Sequence, residues 1–419
     1  MVWLVLIILG LLIAAGVPIG FTLMITAAIS MLIADIDLIM VPIQMYSGTN
    51  SVVLLAIPLF IFMGELMGAT SISERIINLA SAMVGWMRGG LGHINVLTSM
   101  FMAEMSGSAV ADAAVMSKVF VPQMERKGYP KEFAAAVTAT SATLGIIIPP
   151  SIPMVLYGVT TNQSIKDLFV AGIIPGVLLG AAFMLVISIF ARKEKHPVDA
   201  KFRLSYLFTA FVASAIPLMI PVIVVGGLIV GLVTPTEAAA IGVIAALLFG
   251  SILKNDLTWK KLGEIISTTT KQTSVVMMII AGSAVLGQYL ANEQLPQLIA
   301  SSISSVSDEP WILMLIINLF LLVLGMVLHA SAAIIVVVPM LLPLAQQIGI
   351  DPIHFGVIVC LNLGIGQQTP PVASVLLTVC STTGVKVNEV MRYGKWFILA
   401  MFVTLMIVSF VPQTALWFR

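Results

Sequence analysis

The sequence predicts an all-α polytopic membrane protein made of two inverted-topology repeats, each holding a re-entrant helical hairpin and a broken transmembrane helix. Three observations predict it: an apolar composition with few charges, basic residues clustered so that all can face one side, and a Gly-x-x-x-Pro-Pro pattern present once in each half. Of 419 residues, 59% are hydrophobic and 9% charged, against about 25% charged in an ordinary soluble domain. The net charge of +1 leaves no basic field to hold a nucleic-acid backbone, which excludes nucleic acid as a partner. Apolar runs of about 20 residues, enough to span a bilayer, recur along the whole chain, so a soluble enzyme on a single anchor is excluded as well and the lipid bilayer is the solvent. Cys360 and Cys380 lie within apolar segments and are too few for a disulfide framework. Met1 to Ala34 carries no Lys or Arg ahead of its apolar core and reads as mature structure rather than a secretory signal.

The first repeat covers residues 1–191. Outer helices occupy 1–68, with apolar runs near 2–16, 19–35 and 51–68 bounded by Gly, Pro or charge. A hairpin follows over 92–126 with its tip at Ser106, Gly107 and Ser108, then a broken helix over 131–160 and a continuous helix near 168–191. A basic linker spans 192–203. The second repeat covers 204–419: outer helices over 205–290 at 205–230, 236–252 and 270–290, a hairpin over 311–348 with its tip between Gly325 and Ser331, a broken helix over 353–383 and a last helix over 393–418.

Lys and Arg near helix ends stay cytoplasmic. Arg192, Lys193, Lys195, Lys201 and Arg203 form one group and Lys254, Lys260 and Lys261 another, separated by two helices, so both fit on the cytoplasmic side. The loop with Arg126, Lys127 and Lys131 then falls inside too, and both termini come out periplasmic. Trp3, Trp86, Trp259, Trp311, Trp396 and Trp417 each sit at the edge of an apolar run, where an interfacial aromatic belt is expected.

The halves align in punctuation at an offset of about 220 residues. Gly145 with Pro149 and Pro150 matches Gly366 with Pro370 and Pro371; Pro122 matches Pro343, and Thr160 and Thr161 match Thr382 and Thr383. By the charge argument the halves begin on opposite sides, an arrangement found in many secondary transporters.

Consecutive prolines remove amide donors and keep the preceding residue out of the helix. The freed carbonyls at mid-membrane are tolerated only against protein or a lined cavity. Hydroxyls of Ser106 and Ser108 beside carbonyls from Gly145 to Pro150 make an all-oxygen cation site suited to sodium, and Thr369 beside carbonyls near Gly325 and Gly366 makes its mirror. Helix N-termini at the same breaks favour an anion, so one crevice can hold cations and an anionic substrate, with Ser106, Ser108, His329 and Ser331 as the substrate contacts. His329 is equally readable as a proton ligand or a hydrogen-bonded tip residue. Glu104, Asp112 and Lys118 within the first hairpin are functional candidates by default, or they pair with one another or reach the interface. Glu237, three residues after Thr234, fits a structural capping box.

The run Ser106-Gly-Ser-Ala-Val-Ala-Asp112, Gly128-Tyr-Pro, Phe133-Ala-Ala-Ala136, and Thr143-Leu-Gly-Ile-Ile-Ile-Pro-Pro-Ser-Ile-Pro-Met154 closely resembles the large (M) membrane subunit of TRAP (tripartite ATP-independent periplasmic) transporters, the DctM-like family. So do Gly16-Val-Pro-Ile-Gly20, Thr234-Pro-Thr-Glu-Ala-Ala-Ala240, Gly349-Ile-Asp-Pro-Ile-His-Phe-Gly356 and Thr369-Pro-Pro371, so that the likeness covers nearly the full chain. The resemblance implies a sodium-driven importer of organic acids in the bacterial inner membrane, an elevator whose hairpins and broken helices move against a scaffold of the outer helices. It implies a small four-helix membrane subunit and a periplasmic substrate-binding protein as partners, and at least two Na+ as coupling ions. It maps one sodium site onto Ser106, Ser108, Gly145, Ile148 and Pro150, and a second onto Gly325, Gly366 and Thr369. Many relatives carry an acidic residue at the second tip where this chain has His329. Relatives carry sialic acids, C4-dicarboxylates and other organic anions, with sialic acid favoured here.

The rival from the same superfamily is a stand-alone sodium-coupled anion symporter or sodium/proton antiporter that needs no binding protein. An intramembrane enzyme has little support, since no His-Glu-x-x-His or Gly-x-Ser-x-Gly motif is present. No Gly-x-x-x-x-Gly-Lys-Ser or -Thr motif occurs either, so the chain is no ATP-driven motor.

Overall fold

The computed structural model describes residues 2–70, 72–106, 109–199, 202–254, 257–294 and 309–419. All regular structure among them is helical, and seven helices are long and apolar enough to cross a bilayer.

The chain opens with α1 (Val2–Ala14) and α2 (Ile19–Ile33), separated by a turn with Gly16 at positive φ and Pro18 before the second helix. Next come α3 (Met40–Thr49), then α4 (Ala56–Ala69) entered through a 3-10 turn, and α5 (Ile72–Val84). Neither α3 nor α5 was visible as an apolar run. Helix α5 buries Ile72, Ile76, Leu79 and Ala80 along one stripe and keeps Glu74 and Arg75 in its other turns, an amphipathic pattern too short to span.

The first hairpin is α6 (Gly90–Ser106) and α7 (Ala109–Arg126). It leads into α8 (Lys131–Ala142), a 3-10 turn at Thr143–Ile146, a non-helical stretch, and α9 (Ile152–Thr161), with Ser151 Oγ capping α9 through the Met154 amide. The long α10 (Ile165–Lys193) closes this half.

In the second half, α11 (Leu204–Val230) and α12 (Pro235–Lys254) precede α13 (Trp259–Asn292). Helix α13 starts well before the apolar run expected at 270, because the Thr258 hydroxyl caps the Lys261 amide at 3.3 Å and polar turns extend the helix beyond its apolar part. The second hairpin is α14 (Pro310–Val327) and α15 (Ala330–Gln347), and the second broken helix is α16 (Pro352–Gly366) and α17 (Ser374–Thr383). Helix α18 (Val387–Phe410) starts before 393, where Glu389 accepts from the Lys386 amide at 3.2 Å, and ends before 418, just ahead of Pro412. Trp396 therefore marks the level at which its polar first turns give way to apolar ones. The capping box at α12 also forms: Thr234 N donates to Glu237 Oε2 at 2.7 Å, and Glu237 N donates to Thr234 Oγ1 at 3.4 Å.

The helices pack as two groups. In one, α2, α3 and α4 lie on α13, α4 also on α12, and α11 on both α5 and α12. In the other, the hairpins and broken helices interlock with α10 and α18: α8 packs on α7 and α18, α9 on α15, and α14 on α16. The groups meet where α6 touches α4 and α5, α9 touches α4, α10 touches α11, and α15 touches α13. Buried Phe133, Phe183 and Phe397 knit the second group, with ring centroids of Phe183 and Phe397 5.8 Å apart. Large exposed side chains such as Phe208, Phe211 and Val222 on α11 and Leu319 and Val323 on α14 face outward, which suits hydrocarbon as the surrounding solvent.

The basic linker is folded where it is described. Pro197 O accepts from the Gly89 amide at 3.0 Å, Val198 bridges Arg88, and Asp199 Oδ2 accepts from Leu91 N and Tyr129 Oη, both at 2.8 Å. His196 packs against the rings of both Tyr129 and Phe133, and its Nε2 pairs with Glu194 at 3.2 Å.

Candidate cation and substrate site

The two broken helices come together at the centre of the second group. Gln368 Nε2 donates to Ala139 O in α8 at 2.6 Å, and Tyr157 Oη of α9 donates to Pro352 O at the start of α16, also at 2.6 Å. The two halves of the chain are thus bonded to each other, with Gln368 of the second break held by α8.

In the first break, Gly145 lies in the 3-10 turn after α8 and is buried with Ile148 and Pro150. Helix α10 makes room for this irregular backbone with two glycines a turn apart. A Cβ on Gly172 would lie 2.4 Å from Ile147 O, and one on Gly176 would lie 2.6 Å from Ile148 Cγ1. Ser151 Oγ donates to Ile146 O at 2.6 Å, so one carbonyl freed by the break is taken locally. The first hairpin packs on this turn through α6 and α7. Ser106 ends α6, but its side chain, that of Glu104, and all of Gly107 and Ser108 lie outside the described residues. Asp112 is buried in the first turn of α7, and Lys118 is exposed.

In the second break, Gly325 of α14 and Gly366 at the end of α16 meet backbone to backbone. A Cβ on Gly366 would stand 2.3 Å from the carbonyl carbon and 2.8 Å from the carbonyl oxygen of Gly325. Thr369 follows within one turn, its amide donating to Gly366 O and its hydroxyl to Ile365 O, both at 2.9 Å. Met326 O accepts from the amides of Val372 and Ala373 at 3.3 and 3.4 Å, tying the hairpin to the broken segment. Gly325, Gly366 and Thr369 are therefore neighbours in space, and the oxygens they gather are of the type a hard cation takes.

His329 caps α15, its Nδ1 accepting from the Ser331 amide at 3.4 Å. Both residues line a cavity of about 210 Å³ that also takes in Ile146 from the first break, Ile152 and Pro153 from the start of α9, and Ala109 from the first hairpin. Gln272 and Val275 of α13 and Ile61 of α4 close it from the other helix group. The cavity sits where the two groups face each other, and the N-terminus of α15 opens on it, a position that favours negative charge.

Two polar contributors were not singled out in the sequence. Gln367 lines the cavity with its side chain buried, and Gln272 donates to Glu65 Oε1 of α4 at 2.8 Å. The signal for Gln367 was present: a Gln-Gln pair between the glycine and the prolines of a membrane break is polar side-chain material where hydrocarbon would exclude it.

The second group also carries buried amides that hold it together. Asn362 Nδ2 of α16 donates to Asn318 Oδ1 of α14 at 2.7 Å, and Asn318 Nδ2 donates to Ser409 Oγ of α18 at 3.1 Å. In the first half, Asn95 Nδ2 of α6 donates to Thr138 Oγ1 of α8 at 2.7 Å. Each hairpin is thus tied to its own broken helix.

Residues 6–414 match the DctM component of the tripartite ATP-independent periplasmic transporters. The chain is 38% identical over 409 residues to the sialic acid TRAP transporter large permease protein SiaM of Vibrio cholerae, covering 97% of this chain and 96% of that one. It is 36% identical to the C4-dicarboxylate TRAP transporter large permease protein DctM of Pseudomonas aeruginosa, covering 89% of this chain and 88% of that one. It is also 36% identical to the 2,3-diketo-L-gulonate TRAP transporter large permease protein YiaN of Escherichia coli, covering 96% and 95%. In fold it resembles the YdaH transporter of Alcanivorax borkumensis, with a TM-score of 0.60 at 14% identity over 90% of this chain and 86% of that one.

Proposed function

This chain belongs to the DctM family of tripartite ATP-independent periplasmic transporters, whose large permeases are inner-membrane transporters and not enzymes, and on that premise we propose that it is a sodium-driven importer of an organic acid anion. Sialic acid or a C4-dicarboxylate is the substrate class, as the names of its relatives suggest. The observation that carries the reading is the cavity between the helix groups, where the first break, the second hairpin tip and Gln367 converge on one chamber. Sodium at Gly325, Gly366 and Thr369, and a second ion at Gly145, Ile148 and Pro150 with Ser106 and Ser108, would sit beside it. His329 and Ser331 present the α15 N-terminus to the acid group.

The two helix groups suggest an elevator. Hairpins, broken helices, α10 and α18 form the moving body, and α2 to α5 with α11 to α13 form the scaffold. It meets the moving body through α4, α5, α11 and α13. The opposite topology of the repeats and the periplasmic placement of both termini belong to the same proposal. A small four-helix membrane subunit would widen the scaffold, and a periplasmic binding protein would deliver the acid.

Uptake of labelled sialic acid and succinate into liposomes bearing this chain and its small subunit tests the reading. Under an inward sodium gradient, uptake is expected only with the binding protein present. Equal uptake without it would make the chain a stand-alone carrier, and uptake indifferent to sodium would remove the coupling ion.

A further inference from the structure

Gln367 occupies an unusual position. Its backbone is committed, the amide donating to Leu363 O at 3.0 Å and the carbonyl accepting from Val375 N at 3.2 Å. Its side chain is 1% exposed and lines the interfacial cavity, yet neither Oε1 nor Nε2 has a hydrogen-bond partner among the described residues. The adjacent Gln368, equally buried, spends its amide on Ala139 O. Buried side-chain amides are nearly always bonded, and each exception calls for an explanation.

Two other polar side chains of the chamber each have one atom committed. Gln272 donates to Glu65, and His329 accepts from the Ser331 amide. Most of the remaining lining is apolar, including Ile61, Ile146, Ile152 and Val276. Gln367 is therefore, among the described residues, the amide of this chamber with both ends unpartnered. In the chain it lies immediately after Gly366 and two residues before Thr369, and its side chain lines the cavity.

Building on the functional reading above, we infer that the Gln367 side chain couples sodium to substrate, its Oε1 turned to the cation beside Gly366 and Thr369 and its Nε2 donating to the acid group in the cavity. A primary amide suits this double task because it carries a cation-binding oxygen and anion-binding N–H groups on one rigid plane. It is neutral, so it favours neither ion by charge alone. With one ion bound, the amide is already oriented for the other, which makes the binding of each raise the affinity for the other by the same factor.

The test uses the full-length chain in lipid nanodiscs, titrated with sodium chloride against choline chloride and with sialic acid, succinate, 2,3-diketo-L-gulonate and isethionate, reading melting temperature and calorimetric affinity. In the unaltered protein, saturating sodium is expected to raise the affinity for at least one acid by tenfold or more. Gln367→Leu keeps the approximate volume and should bring that factor below about twofold. Gln367→Glu should shift the two ligands in opposite directions, with sodium affinity held or raised and acid affinity lowered at least tenfold. A role in packing alone would move both the same way, and that result, or retained coupling in Gln367→Leu, overturns the inference while leaving sodium-driven uptake standing. If no acid binds the unaltered protein in sodium, the functional reading fails and this inference with it.

Discussion

Gly325 and Gly366 touch backbone to backbone, so closely that a Cβ added to Gly366 would fall 2.3 Å from the Gly325 carbonyl carbon. The contact joins the second hairpin to the second broken helix near the end of each helix, and it gathers main-chain oxygens.

Gly366→Ala should therefore be far more damaging than Gly325→Ala. The nearest backbone atoms to a Cβ on Gly325 are 3.2 Å away, a distance that a small shift relieves. Overpacking costs about 1–3 kcal/mol in a tight core, and for Gly366 the opposing atoms are main chain. The expected result is lost sodium-dependent uptake in Gly366→Ala and partial uptake in Gly325→Ala. Equal uptake by the two variants would contradict the geometry.

The Asn362, Asn318 and Ser409 chain links α14, α16 and α18. Asn318→Ala removes the acceptor for Asn362 and the donor to Ser409 together. Interhelical hydrogen bonds in membranes are worth roughly 0.6 kcal/mol, with about 1.7 at the upper end, so each single variant should lower stability by an amount in that range. The double variant Asn318→Ala with Asn362→Ala should cost less than the sum, since the broken bond is counted once. Thermal unfolding in detergent, arranged as a double-mutant cycle, measures this.

His196 supplies a pH dependence outside the membrane spans. Burial, where its ring packs against Tyr129 and Phe133, is the larger influence and holds its imidazole below the usual histidine range, while Glu194 pulls the other way. A depressed histidine folds neutral. Its stabilising share is complete above the unfolded value near 6.5 and is lost as pH falls from there toward the folded value. Asp199 and Lys127 stand close by on the same clasp, and Tyr393 donates to Glu194 at 3.0 Å. Melting temperature should drop between pH 7.5 and 5.5 in the unaltered protein and drop less in His196→Phe, which keeps the ring packing. Parallel curves would count against His196 as the titrating group.

Transport should be electrogenic. Two or more sodium ions with one monovalent anion carry net positive charge inward, and each charge gains about 2.3 kcal/mol per 100 mV. A potassium diffusion potential, negative inside, should increase sodium-driven uptake into liposomes, and collapsing it with valinomycin in symmetric potassium should abolish the increase. Uptake insensitive to the potential would rule out the stoichiometry.

Much of the fold was legible because the bilayer imposes it. Long apolar runs such as Leu204–Val230 can only be helices in hydrocarbon, and the paired Gly-x-x-x-Pro-Pro patterns mark breaks because proline lacks the amide a helix needs. The structure has both breaks where the prolines stand, between Ala142 and Ile152 and between Gly366 and Ser374. What escaped were elements with weak apolar signals. Helix α5 is amphipathic, the first turns of α13 and α18 are polar, and the linker around Asp199 folds through contacts with residues as distant as Leu91.

The chain's own residues determined its solvent, its helices, its two breaks and the glycines and threonines beside them, since each follows from local backbone chemistry in a low-dielectric medium. Only the tertiary structure decided that Gly325 lies on Gly366, that Gln368 in the second break is held by Ala139 of the first half, and that Gln367 faces a chamber lined by α13. Those relations join residues far apart in the chain, and local pattern carries no information about which distant surface will pack on which.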